Sequence, residues 1–512
     1  MKLIVEPSEL KGSVEIPASK SHTIRAVVIG SLAGGSPSVR GSTSDNGISE
    51  IINPLHSSDT LSAVNVCQGL GAEIQGMGNR ELRIANCESE MAVGAGSKPA
   101  LSKPALSKPA LSKPALSKPA LFFGHKGTTE GAPLAKASPM SDVLLPPDSE
   151  PQTPAWLVSG TGGRIMPPDD ILDVGNSGTT LYLTMAMAAL CDGYSVFTGD
   201  SQIRSRTAQA LMDSLNSLGA HAFSTRGNSC APIVVHGRIK GGEIEIDGSK
   251  TSQYISSLLI TCPLADNDTR IRVINVTEKP YIQMTMDWLN EQGIEYSHEN
   301  MEYFHIKGGQ SYHSFKKRMP GDFSSAAFFL CAGAITNSDI MLMGLDMNDS
   351  QGDKAVVDML LSMGAEIRIE SDGIRVKNKQ LHGAEFDLSS TPDALPAMAV
   401  VGCFAQGETR LVNVPQARLK ETDRISVMCK ELSKMGAKIR ELPDGLVIEE
   451  SSLHGAHLHG HDDHRVVMAL AVAGLAAEGQ TIIDTAEAMQ ITFPNFAQLM
   501  QKMGGRIKNY EL

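Results

Sequence analysis

Aromatic residues are scarce, at 4% of 512, with only two Trp. A core with so few large rings has to be packed by aliphatic and small side chains. Gly is correspondingly abundant, at 48, which suits an α/β protein with many tight turns. Basic excess is also missing: 45 Lys and Arg face 57 Asp and Glu, a net charge of -12. That balance excludes a general affinity for nucleic acid. The eight cysteines are scattered, with no C-x-x-C pair. This speaks against a disulfide framework or a zinc site and for buried, reduced thiols in a cytoplasmic protein. No apolar run approaches the roughly 18–20 residues that span a bilayer. The N-terminal stretch Met1 to Pro7 reads as a strand and lacks the apolar segment of a secretory signal. With no such run and no such signal, no membrane partner is expected. At 512 residues the chain exceeds one domain by the usual size limits.

What the chain does have is a repeat. A helix end, a Gly, usually a small residue and then a strand recur at Gly71, Gly219, Gly293, Gly364, Gly436 and Gly504. The gaps are 148, 74, 71, 72 and 68 residues. Each Gly fits the left-handed position that closes a helix. The regular spacing predicts six α/β units of about 72 residues, the first lengthened by an insertion. The excess falls at 93–168, where S-K-P-A-L repeats five times from Ser97 to Leu121. Proline at every fifth residue excludes helix interior and central strand. The segment reads as a disordered or extended insertion, or as non-native coding sequence.

Polar, Gly-containing turns recur between a strand and the start of a helix. Lys20, Ser21 and Arg25 stand at one such start, and the run 173–180, with Gly178, at another. Arg206 precedes a third helix, and Thr251, Ser252 and Gln253 form a cluster suited to a polyhydroxylated ligand. Asp353 lies just before the fourth unit's helix. Arg418 to Ile425 packs Lys420, Glu421 and Arg424 into a strand-to-helix turn. Arg465 opens another helix. Helix N-termini favour anions, and Lys and Arg reinforce them. Taken singly, each turn has the plainer reading of a capped, solvated turn. If all units aim their helix starts inward, the dipoles converge on one positive cavity in an acidic protein. His457, His459, His461, Asp462, Asp463 and His464 invite a metal, but the other sites are built for anions, so no metal is expected.

As an ordered set, these motifs resemble the 5-enolpyruvylshikimate-3-phosphate synthase family. They are S-K-S-x-x-x-R at 19–25, G-N-S-G-T at 175–179, S-Q at 252–253 and E-K-P-Y at 278–281. K-G-G-Q-S-Y at 307–312, Q-G-D at 351–353, L-K-E-T-D-R at 419–424, D-H-R at 463–465 and T-F-P at 492–494 follow. The resemblance covers the whole chain except the insertion. It implies a two-domain inside-out α/β barrel of six βαβαββ repeats. The domains would be 17–319 and 1–16 plus 320–512, in an open form that closes on its substrates.

It implies transfer of the enolpyruvyl group of phosphoenolpyruvate to the 5-hydroxyl of shikimate 3-phosphate. No metal or organic cofactor is implied, and the protein would be a monomer. Lys20, Ser21, Arg25, Thr251, Ser252, Gln253, Asp353 and Lys420 would hold shikimate 3-phosphate. Lys20, Gly178, Arg206, Gln253, Arg424 and Arg465 would hold phosphoenolpyruvate. Asp353 would be the base toward the hydroxyl, Glu421 the proton donor to the methylene carbon, and Lys20 a further catalytic cation. The chain departs from the family pattern at Tyr182, where Arg is usual, and at Thr207, where Pro is usual. It departs again at Glu278, where some members have Ser, and at Ile491, where one branch has Lys. Lys20 is followed by Ser21 and not by the Asn of the related UDP-sugar transferases, which argues against that acceptor.

Overall fold

A computed structural model describes residues 1–34, 47–77 and 153–510. One repeat shows the local logic. Strand Leu172–Asp173 leads into helix Gly178–Ala188, strand Tyr194–Thr198, helix Gln209–Ser217 and the strands His221–Ser224 and Ile233–His236. Its sheet places the first strand parallel to the second and the last strand between the second and third. Six four-stranded sheets share this order. The six glycines that mark the repeat all adopt positive φ: +102° at Gly71, +104° at Gly219, +67° at Gly293, +99° at Gly364, +95° at Gly436 and +101° at Gly504. A side chain is strained in this left-handed conformation, so glycine closes every outer helix and turns the chain into a strand.

The strand ladders among the described residues stay within single sheets. The repeats associate through packed helices. The inner helices Lys20–Leu32, Gly178–Ala188, Gln253–Thr261, Phe323–Ile335, Leu395–Phe404 and His464–Ala476 are buried on nearly every face. Past their polar first turns, their sequences are mostly apolar or small on every side, as an interior helix requires. Outer helices such as Arg424–Lys434 bury only a stripe, here Ile425, Met428 and Leu432. The apolar side chains form two cores. One draws on residues 18–319, the other on 3–16 and 323–507.

Sheets are completed by distant pieces of chain. Strand Lys2–Glu6 joins the last repeat's sheet, with Leu3 opposite Ile483, and strand Leu10–Glu15 joins the fourth, with Val14 opposite Leu342. Strand Lys316–Arg318 supplies the first repeat, with Lys317 opposite Ile51. Between the cores the chain crosses twice, and the crossings run side by side. Ser19 N–H donates to Pro320 O at 2.7 Å, and Asp322 N–H donates to Pro17 O at 2.9 Å.

The expected insertion lies outside the described residues as far as 152. Its expected end at 168 is too late. Ala155–Ser159 is the central strand of the first repeat's sheet, between Ile48–Ile52 and Glu73–Met77, with Trp156 and Val158 fully buried. Its apolar side chains are flanked by Gly, Pro, Ser and Thr, which hid the strand in the sequence. The described cysteines are free. No described helix is long and apolar enough to cross a membrane.

Candidate active site

All six inner helices begin at one cleft. The first brings Lys20, Ser21 and Arg25, the second Thr179, and the third Ser252 and Gln253. The fourth brings Asp322, Ser324 and Ser325. Asp393 stands just ahead of the fifth, and Arg465 and Met468 lie in the first turn or two of the sixth. Side chains at Ser19, Ser177, Asp322 and Asp463 accept hydrogen bonds from backbone N–H groups of the first turns. The remaining N–H groups and the dipoles favour an anion in the cleft.

Four cations line this cleft, and each is differently held. Lys20 Nζ lies 3.0 Å from Asp59, and Lys420 Nζ lies 2.7 Å from Glu278. Arg465 donates to Ser324 Oγ at 2.9 Å and pairs with Asp393 at 3.2 Å. Arg25 is buried with neutral partners: Thr285 Oγ1 at 2.9 Å, Ser21 O and Tyr281 O at 3.1 Å, and Ser256 Oγ at 3.3 Å. Burial pulls its pKa down to about 10. A buried guanidinium held only by neutral oxygens gains strongly from an incoming anion.

A second cavity adjoins the first and shares Gln253 and Lys420 with it. Its walls include Arg206, Thr251 and Glu421. Arg206 lies 2.9 Å from Glu421, across the boundary between the cores. Gly178 lies directly behind Arg206: an added Cβ would come within 2.8 Å of Nη1. Tyr182 lines this cavity as well. Tyr182 and Tyr254 pack edge to face at 4.9 Å and both donate to Thr207 O, at 3.1 and 2.6 Å. The aromatic pair therefore backs Arg206 where another Arg was expected. Ile491 ends a short helical turn and packs against the second core.

Two expected ligands sit elsewhere. Asp353 is 1% exposed and does not line the cleft. It lies behind Ser324 and Tyr281, whose hydroxyls donate to its Oδ2, while its Oδ1 has no hydrogen-bond partner. Burial raises its pKa to about 6, the charge of Asp393 adding and that of Arg465 opposing. Ser324 and Tyr281, which line the cleft, thus stand in front of the carboxyl that the sequence marked as the base. Arg424, 1% exposed, spends its donors on Asp463, Asp393 and Glu421 and does not reach the cleft wall. A cation placed among three carboxylates is drawn inward, which the linear spacing in L-K-E-T-D-R did not reveal. Asp423 caps the following helix by accepting from Ser426 N–H at 3.0 Å.

Asp393 is one of three carboxylates that line the cleft, with Glu278 and Asp322. Burial works to raise its pKa, but Arg465, Lys420 and Arg424 together outweigh burial and hold it well below the usual range. For Glu421, burial is likewise outweighed by Arg206 and Arg424, which keep it ionised. His464, beside them, is driven down to about 3 by burial, and neither ring nitrogen has a hydrogen-bond partner. Sequence reasoning passed over Asp393, Ser324, Tyr281 and Asp59. The signal for the first two was available: P-G-D-F-S-S at 320–325 and S-S-T-P-D at 389–393 both precede an apolar helix, as the other turns do. Among the described residues no group of His, Cys, Asp and Glu is placed to hold a metal.

Comparison with known proteins gives one answer. The profile described as EPSP synthase (3-phosphoshikimate 1-carboxyvinyltransferase) matches residues 4–98 and 148–500. The chain is 45% identical over 508 residues to a 3-phosphoshikimate 1-carboxyvinyltransferase of Ruminiclostridium cellulolyticum, covering 99% of this chain and 100% of the relative. It is 45% identical over 511 residues to the protein of that name from Acetivibrio thermocellus, covering 100% of each. The solved structure of EPSP synthase from Acinetobacter baumannii superposes with a TM-score of 0.71 at 22% identity, covering 100% of both chains.

Proposed function

The chain belongs to the EPSP synthase family and transfers the enolpyruvyl group of phosphoenolpyruvate to shikimate 3-phosphate; from that premise we propose how its own residues divide the work. The observation that carries the proposal is the cleft itself: Lys20, Arg25, Lys420 and Arg465 converge at six helix starts in a protein of net charge -12. Two polyanions fit such a site. We read the two cores as domains, 17–319 and 1–16 with 320–512. We also read the protein as a cytoplasmic monomer with no nucleic-acid or membrane partner.

Shikimate 3-phosphate takes Lys20, Ser21, Arg25, Thr251, Ser252, Gln253 and Lys420. Phosphoenolpyruvate takes Lys20, Arg206, Gln253 and Arg465, with Gly178 giving room to Arg206. Arg424 acts one layer back, by holding Asp393 and Glu421 in place. Asp393, not Asp353, is in reach of the acceptor hydroxyl and removes its proton. Glu421 delivers a proton to the methylene carbon, and the acceptor oxygen bonds to the central carbon. Return of a proton from the new methyl group to the Glu421 carboxylate, with departure of phosphate, restores the double bond.

Both acids are ionised in the empty cleft: Asp393 is thus in the form a base needs, while Glu421 has to take up a proton from solvent before it can donate one. Bound anions favour that uptake. A phosphate or carboxylate on Arg206, Lys420 and Arg465 offsets the charges that hold Glu421 and Asp393 down, so both pKa values rise on binding. Fixed cations around the adduct stabilise its developing charge.

Steady-state release of phosphate from phosphoenolpyruvate plus shikimate 3-phosphate tests the reading. Turnover in the parent and its loss in Asp393→Asn are expected. Full turnover in Asp393→Asn would remove Asp393 from the mechanism.

A further inference from the structure

Glu278 has no part in the transfer described above, yet it is an acid at the cleft wall with both carboxylate oxygens bonded. It is 3% exposed. Its Oε2 accepts from Ser252 N–H at 3.0 Å and from Ser252 Oγ at 2.8 Å, and its Oε1 accepts from Lys420 Nζ at 2.7 Å. Ser252 stands at the start of helix Gln253–Thr261, so the carboxylate sits where that helix offers its positive end. The residue itself is left-handed, φ +51°, a conformation that a non-glycine side chain adopts only at a cost. Its backbone N–H reaches Ser389 O at 3.4 Å. Residue 278 therefore bonds to Ser252 in the first core and to Lys420 and Ser389 in the second.

We infer that Glu278 is an internal anion: its carboxylate occupies the donors that the phosphate of the acceptor needs, and the acceptor binds by displacing it. The inference rests on the assignment of Ser252 and Lys420 to shikimate 3-phosphate. Three donors satisfied by one carboxylate are the set a phosphate oxygen would take. A carboxylate and a phosphate dianion at those donors repel each other, so only one is held there at a time. While the cleft is empty, Glu278 neutralises Lys420 and ties the cores together. Once displaced, it releases both the cation and the bridge. The residue is a positioning group and makes no contact with the reacting carbon atoms.

The experiment compares the parent with Glu278→Gln and Glu278→Ser. Gln keeps the shape and the acceptor oxygen but loses the charge. The expected result is a KM for shikimate 3-phosphate lowered by about five- to tenfold, the equivalent of one charge-assisted hydrogen bond no longer competing. The dissociation constant of inorganic phosphate for the free protein, read by calorimetry, falls in parallel. The change in KM exceeds the change in kcat. A merely structural role predicts a lowered Tm with KM and phosphate affinity unchanged or worsened, and that result overturns the inference. Lys420→Ala separates two kinds of failure. A raised KM in Lys420→Ala with no change in Glu278→Gln refutes the internal anion alone. An unchanged KM in both variants refutes the assignment of Lys420 to the acceptor, and the inference falls with it.

Discussion

Arg206 and Glu421 form an ion pair of 2.9 Å across the boundary between the two cores, and both side chains are largely shielded from solvent. A shielded pair is costly to break from one side, because the remaining charge is left without a partner. Here the pair also stands at the wall of the second cavity, so an incoming anion meets Arg206 and Glu421 together. Arg206→Ala should raise the KM for phosphoenolpyruvate and lower kcat/KM by about 10²-fold or more, as loss of one cation at a developing charge does. Steady-state kinetics with phosphoenolpyruvate as the varied substrate checks this. An unchanged KM would place the donor substrate elsewhere.

Asp393 and Asp353 provide a contrast between two buried acids. Asp393→Asn should lower kcat by about 10²–10⁴-fold, the range for loss of a general base. Asp353→Asn keeps acceptors for Ser324 and Tyr281 and should lose much less. Equal losses in both variants would mean that Asp353 reaches the acceptor after all.

The pH dependence of stability gives Asp353 a second test. Folded, it keeps its proton to about pH 6, above its ordinary value of 3.8. Between those values the folded state binds more protons than the unfolded state. The contribution is therefore full below the ordinary value and is lost as pH rises through about 6. Asp353→Asn carries no proton to lose. Its stability relative to the parent should rise across that window, to on the order of 1–3 kcal/mol in its favour. Denaturant titrations at about pH 4 and about pH 8 would show the difference. The same offset at both would contradict the shift.

Gly178→Ala isolates an effect on binding from one on folding. The glycine is the first residue of its helix, where Ala is the better former by less than the about 1 kcal/mol of a helix interior. The added methyl meets the end of Arg206 and nothing rigid. The Tm should hold or rise while the KM for phosphoenolpyruvate increases. A fall in Tm with unchanged kinetics would show that the helix, and not Arg206, gives way.

The repeat was plain in the sequence because its marker is a backbone requirement. Only glycine fits the left-handed closure at Gly71, Gly219, Gly293, Gly364, Gly436 and Gly504, so one letter reports one geometry. Lys20, Arg25 and Arg465 were legible for a related reason: a cation at a helix start has few other uses. Burial was not legible. Nothing in L-K-E-T-D-R says that Lys420 lines the cleft while Arg424 is drawn back by Asp463 and Asp393. Asp393 was missed because an acid before a helix reads first as a cap. Its role depends on Lys420 and Arg465, which lie 27 and 72 residues further on. Trp156 and its strand were concealed by the composition on either side.

The paired crossings at 17–19 and 320–322 have a consequence for how substrates are captured. Two separate tethers would let the cores drift apart and twist freely. Bonded together at Ser19–Pro320 and Asp322–Pro17, they form one short ribbon, which restricts such drift. Lys20 and Ser324 lie one and two residues beyond that ribbon, where any displacement of one core against the other would be smallest. On the proposed assignment of Lys20 to the substrates, a ligand that it holds would face the second core at a high effective concentration, fixed by the ribbon's length and not by diffusion.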